Sequence, residues 1–242
     1  MYNPRQCKLG KLPPSIDQRN LVLKNYKTSR LTPPPNICRW DSPITNWGTM
    51  GNDRYGNCVI VTAAHIELTW RANEIQNSQA WTDDVVIELS REMGALNGFS
   101  ILERLKIWRK HGLLKSKIWA YAKTNPSEAT LLRQVINGFG AADIGLALPT
   151  AWQSSEVWRT GSGRSYRPGS WGLHSVPLVA YGPDTFFCVT WGKLQAITAE
   201  AIATYSDEAY AIIGPQWFAD DAISPSGFDL TQLHADLQVL TK

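Results

Sequence analysis

Hydrophobic residues are spaced differently in the two halves of the chain, and the first half carries helical patterns. Apolar residues occupy almost every position from Val59 to Ile66, which is typical of a buried helix, here beginning at Cys58 and continuing to about Ala72. Further helices are predicted behind residues that can cap a helix N-terminus, at Thr82, Ser100 and Asn125. The first half is therefore expected to be mainly helical.

The second half contains short apolar runs that predict strands. These runs lie at residues 118–122, 142–148, 174–182, 186–191 and 209–213, with a short helix behind Thr198. A loop from Thr150 to Trp171, rich in Gly, Ser, Arg and Trp, is predicted to form a functional rim or a mobile cover. Segregated helices and strands indicate an α+β fold.

The two ends of the chain are predicted to lie against this body. Residues 1–49 are rich in proline, which indicates an extended arm rather than helices. Its apolar anchors are expected to be Ile37, Trp40, Ile44 and Trp47. Residues 223–242 are predicted to form a helix that packs on the body, or alternatively binds a partner, through Leu230, Leu233, Leu237 and Leu240.

Composition narrows the classes of partner. The net charge of +3 is too small, and the basic residues are too dispersed, to indicate a nucleic-acid or membrane partner. No early apolar run resembles a signal peptide, and none reaches the ~18 residues that span a bilayer, so we expect a cytoplasmic chain at synthesis. The cysteines lack the short paired spacing of zinc sites, so neither a metal nor an organic cofactor is expected. A Cys7–Cys38 disulfide and free thiols both remain open, with free thiols favoured.

The turn from Met50 to Asn57 carries the strongest sign of chemistry, because it leads into the helix that begins at Cys58. A thiol in the first turn of a helix faces unpaired backbone N–H groups and the positive end of the helix dipole, which favour a nucleophilic thiolate. The amide of Asn52 can point back at the group under attack, and Gly56 allows close backbone approach. A buried structural cysteine is the alternative interpretation.

A histidine far downstream is the candidate base. His174 opens an apolar, strand-like run, and the next apolar run ends at Trp191 and Gly192. The nearer His65 lies about two helical turns, ~10 Å, beyond Cys58, which is too far for a base. A structural role is expected for His65.

These two motifs resemble those of the papain-like cysteine peptidases. In that superfamily an amide residue, a glycine-containing turn and a cysteine open the central helix, as Asn52, Gly56 and Cys58 do here. A glycine-rich lead precedes the base, as Gly172 precedes His174. The resemblance covers about residues 12–215, and it is greatest to bacterial and phage-borne papain-like proteins with an Asn-Asp-x-x-Gly-x-Cys turn.

The resemblance implies both a fold and an activity. Residues 50–222 would form an α+β papain-like domain, in which a helical lobe (about 50–140) presents Cys58 at the start of its central helix and an antiparallel β lobe (about 141–215) carries His174. Cys58 would be the nucleophile, His174 the base and Asn52 an oxyanion donor, in the hydrolysis of a peptide or isopeptide bond. Contacts to the peptide or protein substrate would come from Gly56, Asn57, Trp171, Gly172, Leu173 and Trp191.

The chain departs from the family where the partner of the histidine is expected. The alignment on Trp191 places Val189 at the position of the usual asparagine. Thr190 and Asp184 are possible polar substitutes, but strand alternation puts Val189 and Thr190 on opposite faces, so neither is favoured. Further departures are the short amide of Asn52, the bulk of Leu173 beside the histidine, and Pro177 within the strand.

These departures leave other functions open. One is a catalytically silent papain-like module that binds protein or serves as a structural component, for example in a phage virion. Another keeps the Cys–His pair but transfers the acyl group to a different acceptor, or deamidates. The sequence does not specify the substrate, the partner or the oligomeric state.

Overall fold

The computed structural model describes residues 7–25, 33–74 and 81–217. The helices in these residues are α1 (Cys58–Glu74), α2 (Asp83–Glu92), α3 (Ile101–Lys110), α4 (Ala129–Phe139) and α5 (Ala199–Tyr205). In this described part of the chain, no helix has the length and apolar character needed to cross a bilayer. The predicted helix at residues 223–242 lies outside the described residues.

The strands form one nine-stranded sheet. They are β1 (Leu21–Val22), β2 (Cys38–Arg39), β3 (Ala120–Lys123), β4 (Ala142–Leu148), β5 (Val157–Trp158), β6 (Gly172–Tyr181), β7 (Thr185–Thr190), β8 (Lys193–Thr198) and β9 (Ser206–Ile213). Their order is β1-β3-β9-β4-β6-β7-β8-β5, with β2 beside β6. The parallel pairs, β1–β3 and β5–β8, lie at the two ends of this order, and the strands between them are antiparallel. The predicted α+β class is confirmed.

Helix α1 is the central helix and is buried on all sides. Every residue from Cys58 to Trp70 is buried, and the helix packs chiefly on β6. His65 Nε2 donates to the carbonyl oxygens of Trp47 and Gly48 at 3.1 and 3.2 Å. Burial lowers the pKa of His65 to about 4, so the ring is neutral and structural. Because α1 is fixed by this packing, Cys58 is held at the end of a rigid element.

Strand β6 carries His174 near its start and Pro177 in its middle. Pro177 pairs with Asp143 of β4, whereas β7 pairs with β6 only from Leu178 onward. A proline has no N–H for a second neighbouring strand, so pairing on that side stops here, as the sequence indicated. The two strands therefore separate at the end where His174 and Thr190 lie.

The N-terminal residues pack on the body at three of the four predicted anchors. Ile44 and Trp47 are buried, and Trp40 Nε1 donates to the carbonyl of Ile136 at 2.9 Å. Ile37 is 58% exposed, so its prediction as an anchor is wrong. The next residue, Cys38, is buried and packs on the body instead.

The segment between residues 150 and 171 is a packed rim. Trp152 stacks on Trp158 with ring centroids 4.9 Å apart, and both indoles are buried. The Tyr205 hydroxyl donates to the carbonyl of Tyr166 at 2.8 Å. These contacts tie the segment to α5 and the sheet, on the side of the fold that carries His174.

Candidate active site

Cys58 lies at the first position of α1, buried at 1% exposure. Burial raises the pKa of its thiol to about 11. The backbone N–H groups of Ser175, Gly10 and Val59 and the charge of Lys11 act in the opposite direction and favour the thiolate. The helix N-terminus therefore supplies the predicted surroundings, but in this arrangement the desolvation of the sulfur is stronger and the thiol keeps its proton.

His174 is held on two sides. Its Nε2 lies 2.8 Å from Oγ1 of Thr190, and its ring stacks on the indole of Trp191 with centroids 4.6 Å apart and planes at 17°. Its Nδ1 is buried without a hydrogen-bond partner among the described residues. Burial lowers the pKa of His174 to about 3, so the imidazole is neutral. One ring nitrogen is therefore fixed by Thr190, and the other makes no hydrogen bond to the described residues.

Thr190 supplies the polar partner for which the sequence analysis favoured no residue. Thr190 is the last residue of β7, and the next residue, Trp191, has a left-handed φ of 46°. Because β6 and β7 separate here, the Thr190 hydroxyl reaches the ring of His174 while Val189 is buried in the core. Strand alternation did place one of the two residues on the histidine side. The residue that faces His174 depends on where β6 and β7 separate, which no local pattern indicates.

The backbone next to His174 contacts the sulfur of Cys58. The Ser175 N–H that faces the Cys58 thiol belongs to the residue directly after His174. Among the described residues, no hydrogen bond joins the His174 ring to the thiol.

The two asparagines of the turn use their amides inside the fold. Asn52 Nδ2 donates to the carbonyl of Tyr55 at 3.0 Å. Asn57 is fully buried, and its Nδ2 donates to Met50 O at 3.1 Å and to Ser90 Oγ at 3.2 Å. Both N–H groups of Asn57 are thus engaged, one by the turn and one by α2, and its role as a substrate contact stays a prediction. Asn52 likewise uses one N–H of its amide within the turn.

Residues 8–12 of the same chain, here called the cleft segment, cover the cysteine. Gly10 packs so closely on Gly56 that a Cβ added to it would lie 1.7 Å from the Gly56 carbonyl oxygen. Phe99 N–H donates to the Gly10 carbonyl at 2.8 Å, and Leu12 N–H donates to the Phe99 carbonyl at 2.9 Å. On the β side, Lys11 N–H donates to the carbonyl of Leu173 at 3.3 Å. The cleft segment thus bridges the helical and β parts of the fold across the site.

The predicted substrate-contact residues of the β part line the same cleft. Trp171 and Trp191 lie together, with ring centroids 5.3 Å apart. A Cβ on Gly172 would lie 2.7 Å from the side chain of Leu9, so the glycine leaves room for the cleft segment. Leu173, whose bulk was expected to narrow the cleft, offers its backbone carbonyl to that segment. Gly172, Leu173 and Trp191 thus contact the cleft segment of the same chain, and their role toward a substrate stays a prediction.

Solved structures of known proteins share this fold. No protein-family model and no curated protein sequence matches the chain. Xylellain, a cysteine protease from Xylella fastidiosa, matches with a TM-score of 0.66 and 13% identity over 88% of this chain and 98% of its own. Procathepsin L2 proteinase from Tenebrio molitor matches with a TM-score of 0.65 and 9% identity over 87% and 79%. A Carica candamarcensis cysteine protease matches with a TM-score of 0.54 and 14% identity over 74% and 98%. The papain-like fold predicted from the two motifs is confirmed, and at these identities the likeness concerns the fold.

Proposed function

We propose that the chain is a papain-like thiol hydrolase that cleaves a peptide or isopeptide bond, with Cys58 as the nucleophile and His174 as the base. The observation that supports this most strongly is the state of the histidine. Its Nε2 is held by Thr190 at 2.8 Å, and its buried Nδ1 has no partner among the described residues. A ring that is oriented at one nitrogen and open at the other, beside a cysteine at a helix N-terminus, is arranged for proton transfer.

The pairing with Thr190 favours the tautomer that a base needs. A neutral imidazole carries one N–H, and a buried N–H without an acceptor is costly. The hydroxyl oxygen of Thr190 can accept from Nε2, so the proton resides there and the lone pair remains at Nδ1. His174 can then take the thiol proton of Cys58 at Nδ1.

The reaction then follows from these positions. As the proton moves from Sγ of Cys58 to Nδ1 of His174, the sulfur bonds to the carbonyl carbon of the substrate and the carbonyl electron pair moves to oxygen. The backbone N–H at the start of α1 is suited to stabilise this oxyanion. Collapse of this tetrahedral intermediate breaks the C–N bond, and His174 returns its proton to the departing amine. Water then hydrolyses the thioester that remains on Cys58.

The cleft segment must leave before a substrate can enter. It presents the N–H of Gly10 to the sulfur, and its backbone is held on the other side by the N–H of Phe99, so it occupies the position that a substrate would need. Its burial of Cys58 and His174 also keeps both groups neutral. We therefore assign this structure to a closed form of the hydrolase.

The test uses the full chain opened by Gly10→Ala, since the added Cβ does not fit against Gly56. Alkylation of Cys58 by iodoacetamide is followed by mass spectrometry as a function of pH, with buried Cys188 as the internal reference. We expect fast labelling that persists well below the ordinary thiol pKa of ~8.5 and is lost when His174→Ala is added. Peptide hydrolysis that is abolished by Cys58→Ala is expected in the same protein. Slow labelling with an ordinary midpoint in the opened chain would instead support the silent, protein-binding module.

A further inference from the structure

Lys11, in the cleft segment, places a charged side chain in the protein interior. Its side chain is completely buried, and Nζ lies 2.9 Å from Oδ2 of Asp207 and 2.9 Å from Oε1 of Glu208. Nζ also donates to the carbonyl of Leu12 at 3.0 Å. All three N–H bonds of the ammonium therefore have an acceptor, and the site matches a primary ammonium.

The shape of the sheet creates this pocket. Consecutive residues of a regular strand point to opposite faces, so Asp207 and Glu208 should not share a ligand. The register between β4 and β9 shifts at Gly145, however, and this bulge turns both carboxylates toward Lys11. Gly145 also makes room for the ligand, because a Cβ there would lie 2.1 Å from Cε of Lys11. A larger residue would therefore fill the pocket.

The two carboxylates of the pocket need a cation beside them. Arg104 is already paired with the neighbouring Asp143, so Lys11 is left to neutralise Asp207 and Glu208. Burial raises the pKa of Glu208, and the charge of Lys11 opposes that shift. Without Lys11, the two carboxylates would face each other in a partly dry pocket, which is unfavourable for both.

The pocket is next to the reacting groups. The backbone N–H of Lys11 donates to Leu173, the residue directly before His174, and the preceding Gly10 faces the sulfur of Cys58. A side chain that enters this pocket therefore belongs to a peptide whose backbone lies over the nucleophile.

We propose that the pocket of Asp207, Glu208 and Gly145 recognises a basic side chain, foremost lysine, of a peptide bound in the cleft, and that Lys11 occupies it in the closed form. This inference rests on the proposed function, because it takes the cleft to be the peptide-binding site. It adds the substrate class: peptides or protein segments that carry a lysine near the bond to be cleaved. The same contact explains why the cleft segment competes with such a substrate.

Two capped peptides test the inference on the opened Gly10→Ala chain. One has the sequence of residues 8–12, Lys-Leu-Gly-Lys-Leu, and the other has norleucine in place of the second lysine, which removes the ammonium and keeps the stem. Each peptide is titrated for protection of Cys58 from iodoacetamide, a measurement that does not depend on hydrolysis. The titration is repeated with Asp207→Asn and, as a matched control, with the exposed Asp184→Asn.

We expect the norleucine peptide to need at least about tenfold more peptide for half protection, and this preference to disappear with Asp207→Asn but not with Asp184→Asn. Equal protection by the two peptides, or protection by neither, overturns the inference. Hydrolysis is measured separately, so the two failures are distinct. Cleavage without any preference for lysine overturns the basic pocket and keeps the peptidase, whereas lysine-dependent protection without cleavage supports the pocket and overturns the peptidase.

Discussion

Replacing Gly10 by alanine is the most direct perturbation of the closed form. The added Cβ would lie 1.7 Å from the carbonyl oxygen of Gly56 and 2.6 Å from its Cα. Both are backbone atoms at the start of the rigid central helix, so they cannot yield as a flexible side chain would. The cleft segment must therefore move away from Cys58.

The size of the effect follows from the bonds that are lost. Besides the contacts of the Lys11 ammonium and of the Gly10 N–H, four hydrogen bonds hold the backbone of the cleft segment: Lys11 N to Leu173 O, Leu12 N to Phe99 O, Phe99 N to Gly10 O, and Trp191 Nε1 to Lys8 O. At a net ~1 kcal/mol each they amount to ~4 kcal/mol, or about 10³-fold in the population of the open form. The conformational entropy regained by the released residues opposes part of this. We expect Cys58 to be alkylated between about tenfold and 10³-fold faster than in the unaltered chain.

The assay compares Gly10→Ala with Gly182→Ala at the same pH. Gly182 has no atom within 4 Å of an added Cβ, so its substitution controls for the general effect of a Gly-to-Ala change. Cys188, which is fully buried in β7, reports global unfolding in the same mass spectrum. Unchanged labelling of Cys58 in Gly10→Ala, or equal acceleration at Cys188, would refute the argument that the segment alone closes the site.

Three further predictions follow from single contacts. Thr190→Val in the opened chain leaves the Nε2 proton of His174 without an acceptor, so we expect hydrolysis to fall by about tenfold or more and its pH profile to shift, while Thr190→Ser restores both. Gly145→Ala fills the space of the Lys11 stem, so Cys58 labelling of the otherwise unaltered chain should accelerate; labelling at the original rate contradicts the pocket geometry. Burial raises the pKa of Glu67 to about 7, so it binds a proton that the unfolded chain loses near pH 4.5, and stability falls as the pH rises between these values. Glu67→Gln should therefore raise the free energy of unfolding at pH 8 by up to ~3 kcal/mol, seen as a higher thermal midpoint, and leave both nearly unchanged at pH 4. An equal change at both pH values contradicts this.

The predictions that held are those that depend on local pattern. A continuous apolar run behind a polar turn is enough to predict a buried helix, and its N-terminus fixes the backbone N–H groups that face Cys58. The strand that carries His174 was likewise visible as an apolar run that begins at the histidine. Thr82, Ser100 and Thr198 accept the N-cap hydrogen bonds that their identity predicts.

The features that the sequence did not reveal depend on how distant segments meet. Asn57 directly precedes Cys58, and its side chain turns inward to Met50 and Ser90. Nothing in the order of residues indicates that direction. The opposite case is Thr190, whose contact with His174 exists because β7 leaves β6 at Pro177.

From sequence alone, the helix that presents Cys58, the strand that carries His174 and the α+β class were determined, because hydrophobic periodicity and helix capping act within a few residues. Only the tertiary structure decided which residue holds the histidine, what covers the sulfur and where Lys11 is bound. Lys11 lies 196 residues from Asp207 in the chain, and a bulge between two strands brings their side chains together. Such contacts are set by sheet register and by the packing of the N-terminal segment across both parts of the fold, which no local pattern encodes.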